Sequence, residues 1–288
     1  HLFADLLRYR LQREQAGTLH DLHRRASKWY EEHGYIDSAI RHAIAADDLD
    51  QAARLVAEHS YTANERGEVS TVRRWFELLP GERVRSDPSL SVDYAWNLFL
   101  SGQIGAVEER LNDAEALLPR QTTPFNSEQV GELFCKINTL RAILFGIQGR
   151  PMRSTEVAQQ VLKLLPEDRR SERGILLLTL AVNFRDVGDI AQASQSYADA
   201  VTMLLAAENI MAAIMAVEQL VRLLVIQGRL VQAVEVCQEM LDASVEFSAP
   251  EHLRILSSDM ARANMSHVLY ERNELADAEV YVLSLIHI

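Results

Sequence analysis

The chain has 288 residues, of which 48% are hydrophobic and 24% are charged, proportions typical of a globular protein with a sizeable core. Its formal net charge of −12 disfavours direct binding to nucleic acid, because such binding depends on clustered Lys and Arg. No apolar run reaches the ~18–20 residues that a membrane span requires, and no signal-peptide pattern opens the sequence, so we expect a cytoplasmic protein with no membrane contact.

The first 15 residues, HLFADLLRYRLQREQ, are predicted to form one helix that ends an upstream domain. Because the first residue is His1 rather than Met, we expect the sequence to be a piece of a longer polypeptide. The closing run, Ser284–Ile288, stops inside a helical pattern without a cap, as a truncated reading frame would.

Residues 16–120 carry the pattern of short helix pairs. The stretch LHDLHRRASKWYEEHG is amphipathic and ends at Gly34, where glycine can close a helix. A break at Pro80-Gly81 precedes a new helix that Pro88 opens. We expect the three tryptophans to be buried where helices cross, and these are Trp29, Trp75 and Trp96. The turn-rich stretch PRQTTPFN, at 119–126, marks the predicted end of this region.

A repeated pattern begins at Gly102. Residues 188–200, GDIAQASQSYADA, place an apolar residue two positions after the glycine, a small residue five after it and a large one nine after it. Related copies begin at Gly102, Gly149, Gly228 and, with asparagine in place of glycine, Asn273. The intervals between successive copies are 47, 39, 40 and 45 residues.

These offsets predict a helix–turn–helix hairpin in each copy. Glycine or asparagine tolerates the positive φ of a sharp helix C-terminus, and the small residue lets the next helix approach closely. One hairpin cannot bury its apolar face alone, so neighbouring hairpins must stack. Since hairpin-turn and alternating strand patterns are nearly absent, the sequence predicts an all-α fold.

The first helix of each hairpin is expected to line a groove that takes a ligand or partner. Its candidate polar residues are Lys136, Thr139, Arg185, Glu218, Arg222, His267 and Tyr270. Such side chains could hydrogen-bond a sugar or a peptide, and the alternative is that they are solvated charges on an ordinary helix face. No nucleophile with its base, carboxylate pair or metal set stands out, so we predict no catalytic residues, no metal and no enzyme.

Several weaker candidates have a structural alternative. His20 and His23 share a helix face and could bind zinc, or could lie at a wet helix edge. The Arg24-Arg25, Arg73-Arg74 and Arg169-Arg170 pairs could contact phosphate, or could form salt bridges with the acidic residues beside them. The two cysteines, Cys135 and Cys237, are expected to be buried thiols rather than a disulfide.

Helical pairs of about 40 residues resemble tetratricopeptide-type repeats, which stack into a right-handed superhelix. Four stretches further resemble the large ATP-binding transcriptional activators of the LuxR family, the maltose-activator type. They are HLFADLLRYRLQRE, LHRRASKWYEEHGYIDSAIRHAIAADDLDQAARLVAEHS, RRWFELLP with the later DPSLSVDYAWNLFLSGQ, and LLPEDRRSERG.

The resemblance implies a domain assignment. Residues 1–15 would be the tail of a winged-helix region, 16–120 a helical linking arm, and 121–288 part of a sensor superhelix that is incomplete at its C-terminus. The family also carries an N-terminal nucleotide-switch ATPase and a C-terminal helix-turn-helix reader. This sequence contains neither a Gly-x-x-x-x-Gly-Lys-Ser/Thr loop nor a helix-turn-helix, so ATP and DNA binding would belong to other parts of the protein.

The resemblance therefore implies a signal-sensing region of an ATP-dependent transcriptional regulator. Its partners would be a small inducer or an inhibitory protein, with self-association in the full-length protein. The alternative is a free-standing tetratricopeptide scaffold for protein–protein interaction.

Overall fold

The computed structural model describes residues 16–118 and 128–286. Every regular element in these two ranges is an α-helix, which confirms the predicted all-α fold. The described residues belong to two compact units that divide between Leu133 and Phe134. The predicted tail helix at 1–15 and the turn-rich stretch at 119–126 lie outside the described residues.

Short helices build the first unit over its described range. They are α1 (Ala16–Glu32), α2 (Ile36–Ala45), α3 (Leu49–Glu65), α4 (Val69–Leu78), α5 (Gly81–Arg85), α6 (Pro88–Leu100) and α7 (Ile104–Leu117). Asp87 caps α6 by accepting hydrogen bonds from the backbone N–H groups of Ser89 and Leu90, and Pro88 occupies the first turn. The helix that Pro88 was predicted to open is therefore confirmed.

Aliphatic and aromatic side chains from α2, α3, α4 and α6 form the core of this unit. Ile40, Leu55 and Leu90 are fully buried, and Trp75 is 3% exposed beside Phe76. Burial of such side chains contributes about 1.5–3 kcal/mol each relative to the exposed state. This core joins the short helices of the first unit to one another.

The prediction that Trp29 is buried is wrong, because its side chain is 50% exposed. Ser27 is the buried residue of this turn, and its Oγ donates a 2.9 Å hydrogen bond to the carbonyl of Ala39. Two residues along an α-helix lie about 200° apart around its axis, so Trp29 points away from α2. Its ring stacks instead on His33, with the ring centroids 4.0 Å apart.

Helix hairpins make up the second unit. The helix α8 (Glu128–Ile147) crosses the division between the units, and the helices after it are α9 (Pro151–Leu164), α10 (Arg170–Asp186), α11 (Ile190–Ala206), α12 (Ile210–Ile226), α13 (Leu230–Glu246), α14 (Glu251–Glu271) and α15 (Leu275–Ile286). They pair in order as α8 with α9, α10 with α11, α12 with α13 and α14 with α15. The pairs form an all-α solenoid, as the repeated pattern predicts.

The turn of each hairpin has the predicted backbone. Gly188 has a φ of 84°, Gly228 a φ of 69° and Asn273 a φ of 62°. At the first of these turns, the N–H of Gly188 donates to the carbonyl of Arg185, and the next N–H reaches back to Phe184. This is the paired bonding of a Schellman motif, which satisfies the carbonyl groups at the end of α10.

Close packing between helices also follows the pattern. Ala193 and Ala233, at the small position of two copies, have no exposed surface. Gly174, in α10, packs still closer, because a Cβ at this position would lie 2.6 Å from Cγ of Leu204. Tyr197 and Cys237 hold the large position and are fully buried.

Candidate functional site

The candidate groove residues all lie on the first helices of the hairpins in the second unit. Lys136 and Thr139 are on α8, Arg185 is on α10, Glu218 and Arg222 are on α12, and His267 and Tyr270 are on α14. This placement agrees with the repeat register from which they were predicted. The structure brings some of these side chains together and leaves others apart.

Arg185 is the centre of a polar cluster between two hairpins. Its Nη1 donates a hydrogen bond to Oε1 of Gln219 over 2.9 Å and lies 3.5 Å from the hydroxyl of Tyr197. The same guanidinium contacts the carboxylate of Asp186 at 2.9 Å. The Arg185 side chain is 35% exposed, so solvent reaches one side of the cluster.

The cluster extends along α12 to a second guanidinium. Nη2 of Arg222 lies 3.0 Å from Oε1 of Glu218, one helical turn before it. Burial raises the pKa of the Tyr197 hydroxyl, and the positive charges of Arg185 and Arg222 oppose this shift. The hydroxyl is therefore neutral at physiological pH and can donate or accept a hydrogen bond. We call these five residues, Arg185, Tyr197, Glu218, Gln219 and Arg222, the arginine cluster.

Two other candidates lie at the last hairpin, away from the arginine cluster along the chain. His267 and Tyr270 line a hollow of about 520 Å³ between α14 and α15, together with Leu275 and Val282. Nε2 of His267 is 3.7 Å from Oε1 of Glu271. The walls of this hollow are mainly apolar, unlike the hydrogen-bonding surface of the arginine cluster.

The candidates on α8 are less accessible. Thr139 is only 3% exposed, and Lys136 is half-buried. Neither residue takes part in the hydrogen bonds of the arginine cluster. A ligand could therefore reach Arg185 and Arg222 more readily than Thr139.

Two members of the cluster were missed from the sequence. Gln219 follows directly after the predicted Glu218, and its bond to Arg185 arises only when α10 and α12 stack. Tyr197 holds the large position of the repeat and is fully buried, and its hydroxyl also reaches the polar cluster. The large position of the repeat indicates a packed side chain, but it gives no sequence signal for the polar contact of the Tyr197 hydroxyl.

The weaker candidates have structural roles. Arg24, Arg73 and Arg74 each form an ion pair with a carboxylate within 3.3 Å, and so does Arg169. The salt-bridge alternative is confirmed with a neighbouring acidic residue for Arg24, which pairs with Asp21, and for Arg73, which pairs with Glu77. Arg74 pairs instead with the distant Asp37, and Arg169 with Glu172 on the next helical turn. Nδ1 of His23 lies 2.7 Å from Nδ1 of His42, so these two rings share a hydrogen bond. Across residues 16–118 and 128–286, no group of three or more His, Cys, Asp or Glu is placed to hold a metal ion.

Both cysteines are free and buried, which confirms the thiol prediction. Burial raises the pKa of the Cys237 thiol to about 12, so it is neutral and unreactive at physiological pH. None of the helices that the structure describes combines the length and the apolar character needed to cross a membrane.

Comparison with known proteins gives a family match over the second unit. The protein-family model described as the MalT-like TPR region matches residues 135–288. The chain is 26% identical over 282 residues to the HTH-type transcriptional regulator MalT of Serratia proteamaculans, and this match covers 96% of the chain. It is 32% identical over 142 residues, 49% of the chain, to the serine/threonine-protein kinase PknK of Mycobacterium tuberculosis.

Solved structures show the same type of fold. A signal transduction ATPase with numerous domains (STAND) protein with a tetratricopeptide repeat sensor, from Pyrococcus horikoshii, aligns over 96% of this chain with a TM-score of 0.55. The sequence identity is 14%, and the alignment covers 45% of that chain. This similarity shows the helical-repeat fold alone.

The chain spans only part of its relatives. The matches cover 13% of the length of the kinase and 30% of the length of MalT from Serratia proteamaculans. The family match nevertheless spans more than half of the chain, from Cys135 to Ile288, and the hairpin turns at Gly149, Gly188, Gly228 and Asn273 lie within it. The chain belongs to the family of MalT-like tetratricopeptide repeat regions.

Proposed function

We propose that the chain is the signal-sensing and interaction region of an ATP-dependent, LuxR-type transcriptional regulator. In this proposal, residues 16–120 are the linking arm and residues 121–288 are part of the sensor. The sensor receives a small inducer or a regulatory protein, and the full-length regulator acts in the cytoplasm. ATP and DNA bind to parts of the protein outside these residues.

The family match over residues 135–288 is the observation that carries the proposal. The name of the relative from Serratia proteamaculans describes that protein as a transcriptional regulator, and its match extends over 96% of this chain. The net charge of −12 supports a division of labour in which another domain contacts the DNA.

The arginine cluster is the proposed receiving surface. Arg185 and Arg222 supply charged donors, Glu218 supplies an acceptor, and the amide of Gln219 can do both. Such a set suits a ligand or peptide that carries carboxylate or hydroxyl groups. The cluster lies across two hairpins, so an occupant would contact α10 and α12 together and would bias how they stack.

We further propose that the region binds and does not catalyse. Each residue of the arginine cluster contacts another side chain of the cluster or Asp186, in ordinary hydrogen bonds and ion pairs. The kinase relative matches over 13% of its own length, so its name is no ground for assigning a catalytic role to this chain.

The test uses the full-length gene product with a promoter fragment from its own locus, in an in vitro transcription assay with ATP. Arg185→Gln and Arg222→Gln remove the two charged donors, and Lys163→Gln removes an exposed charge on α9 as the control. We expect the two arginine variants to change activation severalfold at unchanged DNA binding and with a melting temperature lowered by no more than about 4 °C, while the control behaves as wild type.

A protein that neither binds the promoter nor responds to ATP would contradict the proposal. The free-standing scaffold is the interpretation that such a result supports. Transcription that is unchanged in both arginine variants would keep the regulator but would reject the arginine cluster as its receiving surface.

A further inference from the structure

A second surface of the solenoid holds a cavity that the arginine cluster does not use. Its volume is about 320 Å³, which is at the lower end of the range for small-molecule sites. The helices α11, α12 and α13 surround it, so it lies between the second helices of two successive hairpins. Leu220 and Leu224 of α12 give it an apolar wall, and small residues of α11 leave the space open.

The charged residues of the cavity are separated by sign. Arg229 lies at its edge just before α13, and Glu235 and Glu239 follow on the same helix. Among the residues that the structure describes, neither carboxylate has an ion-pair partner within 4.0 Å, and Arg229 has no carboxylate partner. Unpaired charges of both signs therefore line one cavity.

Neutral side chains hold the guanidinium in place. Nε of Arg229 donates to Oε1 of Gln232 over 2.5 Å, and its Nη1 donates to Oε1 of Gln227 over 3.0 Å. Gln227 is itself anchored, because its Nε2 donates to the buried Ser194 over 2.9 Å. Amide oxygens orient the guanidinium without neutralising it, so its full charge remains available to an anion.

The spacing of the charges selects the length of the occupant. The Cα atoms of Arg229 and Glu235, six residues apart, are separated by about 9 Å along the helix axis, and those of Arg229 and Glu239 by about 15 Å. A dipeptide extends over about 7 Å and a tripeptide over about 10 Å, whereas the two charges of a free amino acid lie much closer together. The N-terminus of α13, beside Arg229, adds a favourable field for a carboxylate.

We propose that this cavity binds a short peptide of two or three residues with free termini. Its C-terminal carboxylate pairs with Arg229, its ammonium group pairs with Glu235, and an apolar side chain packs on Leu220 and Leu224. Glu239, one turn further along α13, adds a second negative charge on the side of the ammonium group. This site is independent of the arginine cluster and of the transcriptional role.

The test is isothermal titration calorimetry of the 288-residue chain with the dipeptide Leu-Leu. Its capped form, N-acetyl-Leu-Leu-amide, keeps the apolar side chains and removes both charges. Free leucine keeps the charges at a shorter spacing. We expect Leu-Leu to bind with a Kd of about 1 mM or tighter, and both of the other compounds to bind at least about tenfold more weakly.

Substitutions test which charged side chains bind the termini of the peptide. Arg229→Gln and Glu235→Gln, the latter combined with Glu239→Gln, are each expected to weaken Leu-Leu binding by about tenfold or more. Arg150→Gln and Glu156→Gln are matched controls, because these exposed residues hold the same repeat positions one and seven residues after Gly149. Both controls should bind Leu-Leu as the wild type does.

Circular dichroism melting of every variant separates loss of binding from loss of folding. The proposal is overturned if Leu-Leu does not bind at 10-fold the expected Kd, or if the capped peptide or leucine binds as tightly. It is also overturned if folded Arg229 and Glu235/Glu239 variants retain wild-type binding. None of these results bears on transcriptional activation, which the arginine variants of the other surface test.

Discussion

Arg185 and Gln219 join the first helices of two successive hairpins, because Nη1 of Arg185 donates to Oε1 of Gln219 over 2.9 Å. The bond spans 34 residues of sequence and forms only when α10 and α12 stack side by side. Arg185 therefore serves both the solenoid and the proposed receiving surface.

A double-mutant cycle should detect the contribution of the Arg185–Gln219 hydrogen bond to stability. Arg185→Ala, Gln219→Ala and the double variant should give a coupling of about 0.5–1 kcal/mol in the free energy of unfolding, modest because the arginine is partly exposed. Urea denaturation followed by circular dichroism supplies the values. The Glu218–Arg222 pair, within one helix, is the comparison and should couple by about 0.3–0.5 kcal/mol. A coupling of zero between Arg185 and Gln219 would contradict the structural tie.

Gly174 should be intolerant of alanine. A Cβ at this position would approach Cγ of Leu204 to 2.6 Å, and Leu204 is fully buried and cannot move aside freely. We expect Gly174→Ala to lower the free energy of unfolding by about 1–3 kcal/mol. Gly105→Ala, in the helix α7 with open space around its Cα, is the control and should be neutral or stabilising by up to about 1 kcal/mol. Equal melting temperatures for the two variants would refute the packing argument.

The glycine turns should be sensitive to backbone conformation rather than to space. Gly188 has a φ of 84°, and an alanine Cβ at this position would meet no atom within 4 Å, so any cost of Gly188→Ala is conformational. We expect a loss of about 1–2 kcal/mol. The reverse change, Asn273→Gly at a φ of 62°, should be neutral or slightly stabilising. Gly188→Ala should therefore lower the melting temperature and Asn273→Gly should not. A lower melting temperature in both variants would contradict this explanation.

The His23–His42 contact should make the first unit sensitive to acid. Burial, and next the nearby charge of His23, lower the pKa of His42 below its usual 6.5. The unfolded chain then binds a proton more readily than the folded chain does, so stability is lost as the pH falls below 6.5 toward the lowered value. The ring of Tyr30 stacks on His42, with the ring centroids 5.2 Å apart.

Tryptophan fluorescence reports the unfolding of the first unit selectively, because the three tryptophans of the chain all precede residue 134. Urea unfolding at pH 7.5 and pH 5.5 should show a larger loss of stability at low pH for the wild type than for His42→Gln. The same pH dependence in both proteins would exclude His42 as its source.

The repeat pattern predicts much of the fold because it reports local chemistry. Positive φ at Gly188 and Gly228 and the burial of Ala193 follow from residue type and offset alone. The turn between α11 and α12 was not predicted, because its positive-φ residue is Glu208, with a φ of 52°. Glutamate gives no sequence signal for a left-handed backbone, and the surrounding helices impose that conformation.

The candidate site was predictable only in part, because its contacts join distant segments. Arg185 and Arg222 follow from the first-helix register, but the contacts of Gln219 and of the Tyr197 hydroxyl depend on how hairpins stack. The size of Trp29 favours a place in the core, and the exposed side of α1 becomes apparent only from the contact that Ser27 makes with α2.

The coding sequence on either side of these 288 residues is the measurement that tests the regulator proposal most directly. We predict an upstream segment with a Gly-x-x-x-x-Gly-Lys-Ser/Thr loop and a downstream helix-turn-helix domain in the same reading frame. A reading frame that contains neither domain would contradict the regulator and would leave the chain as a tetratricopeptide scaffold.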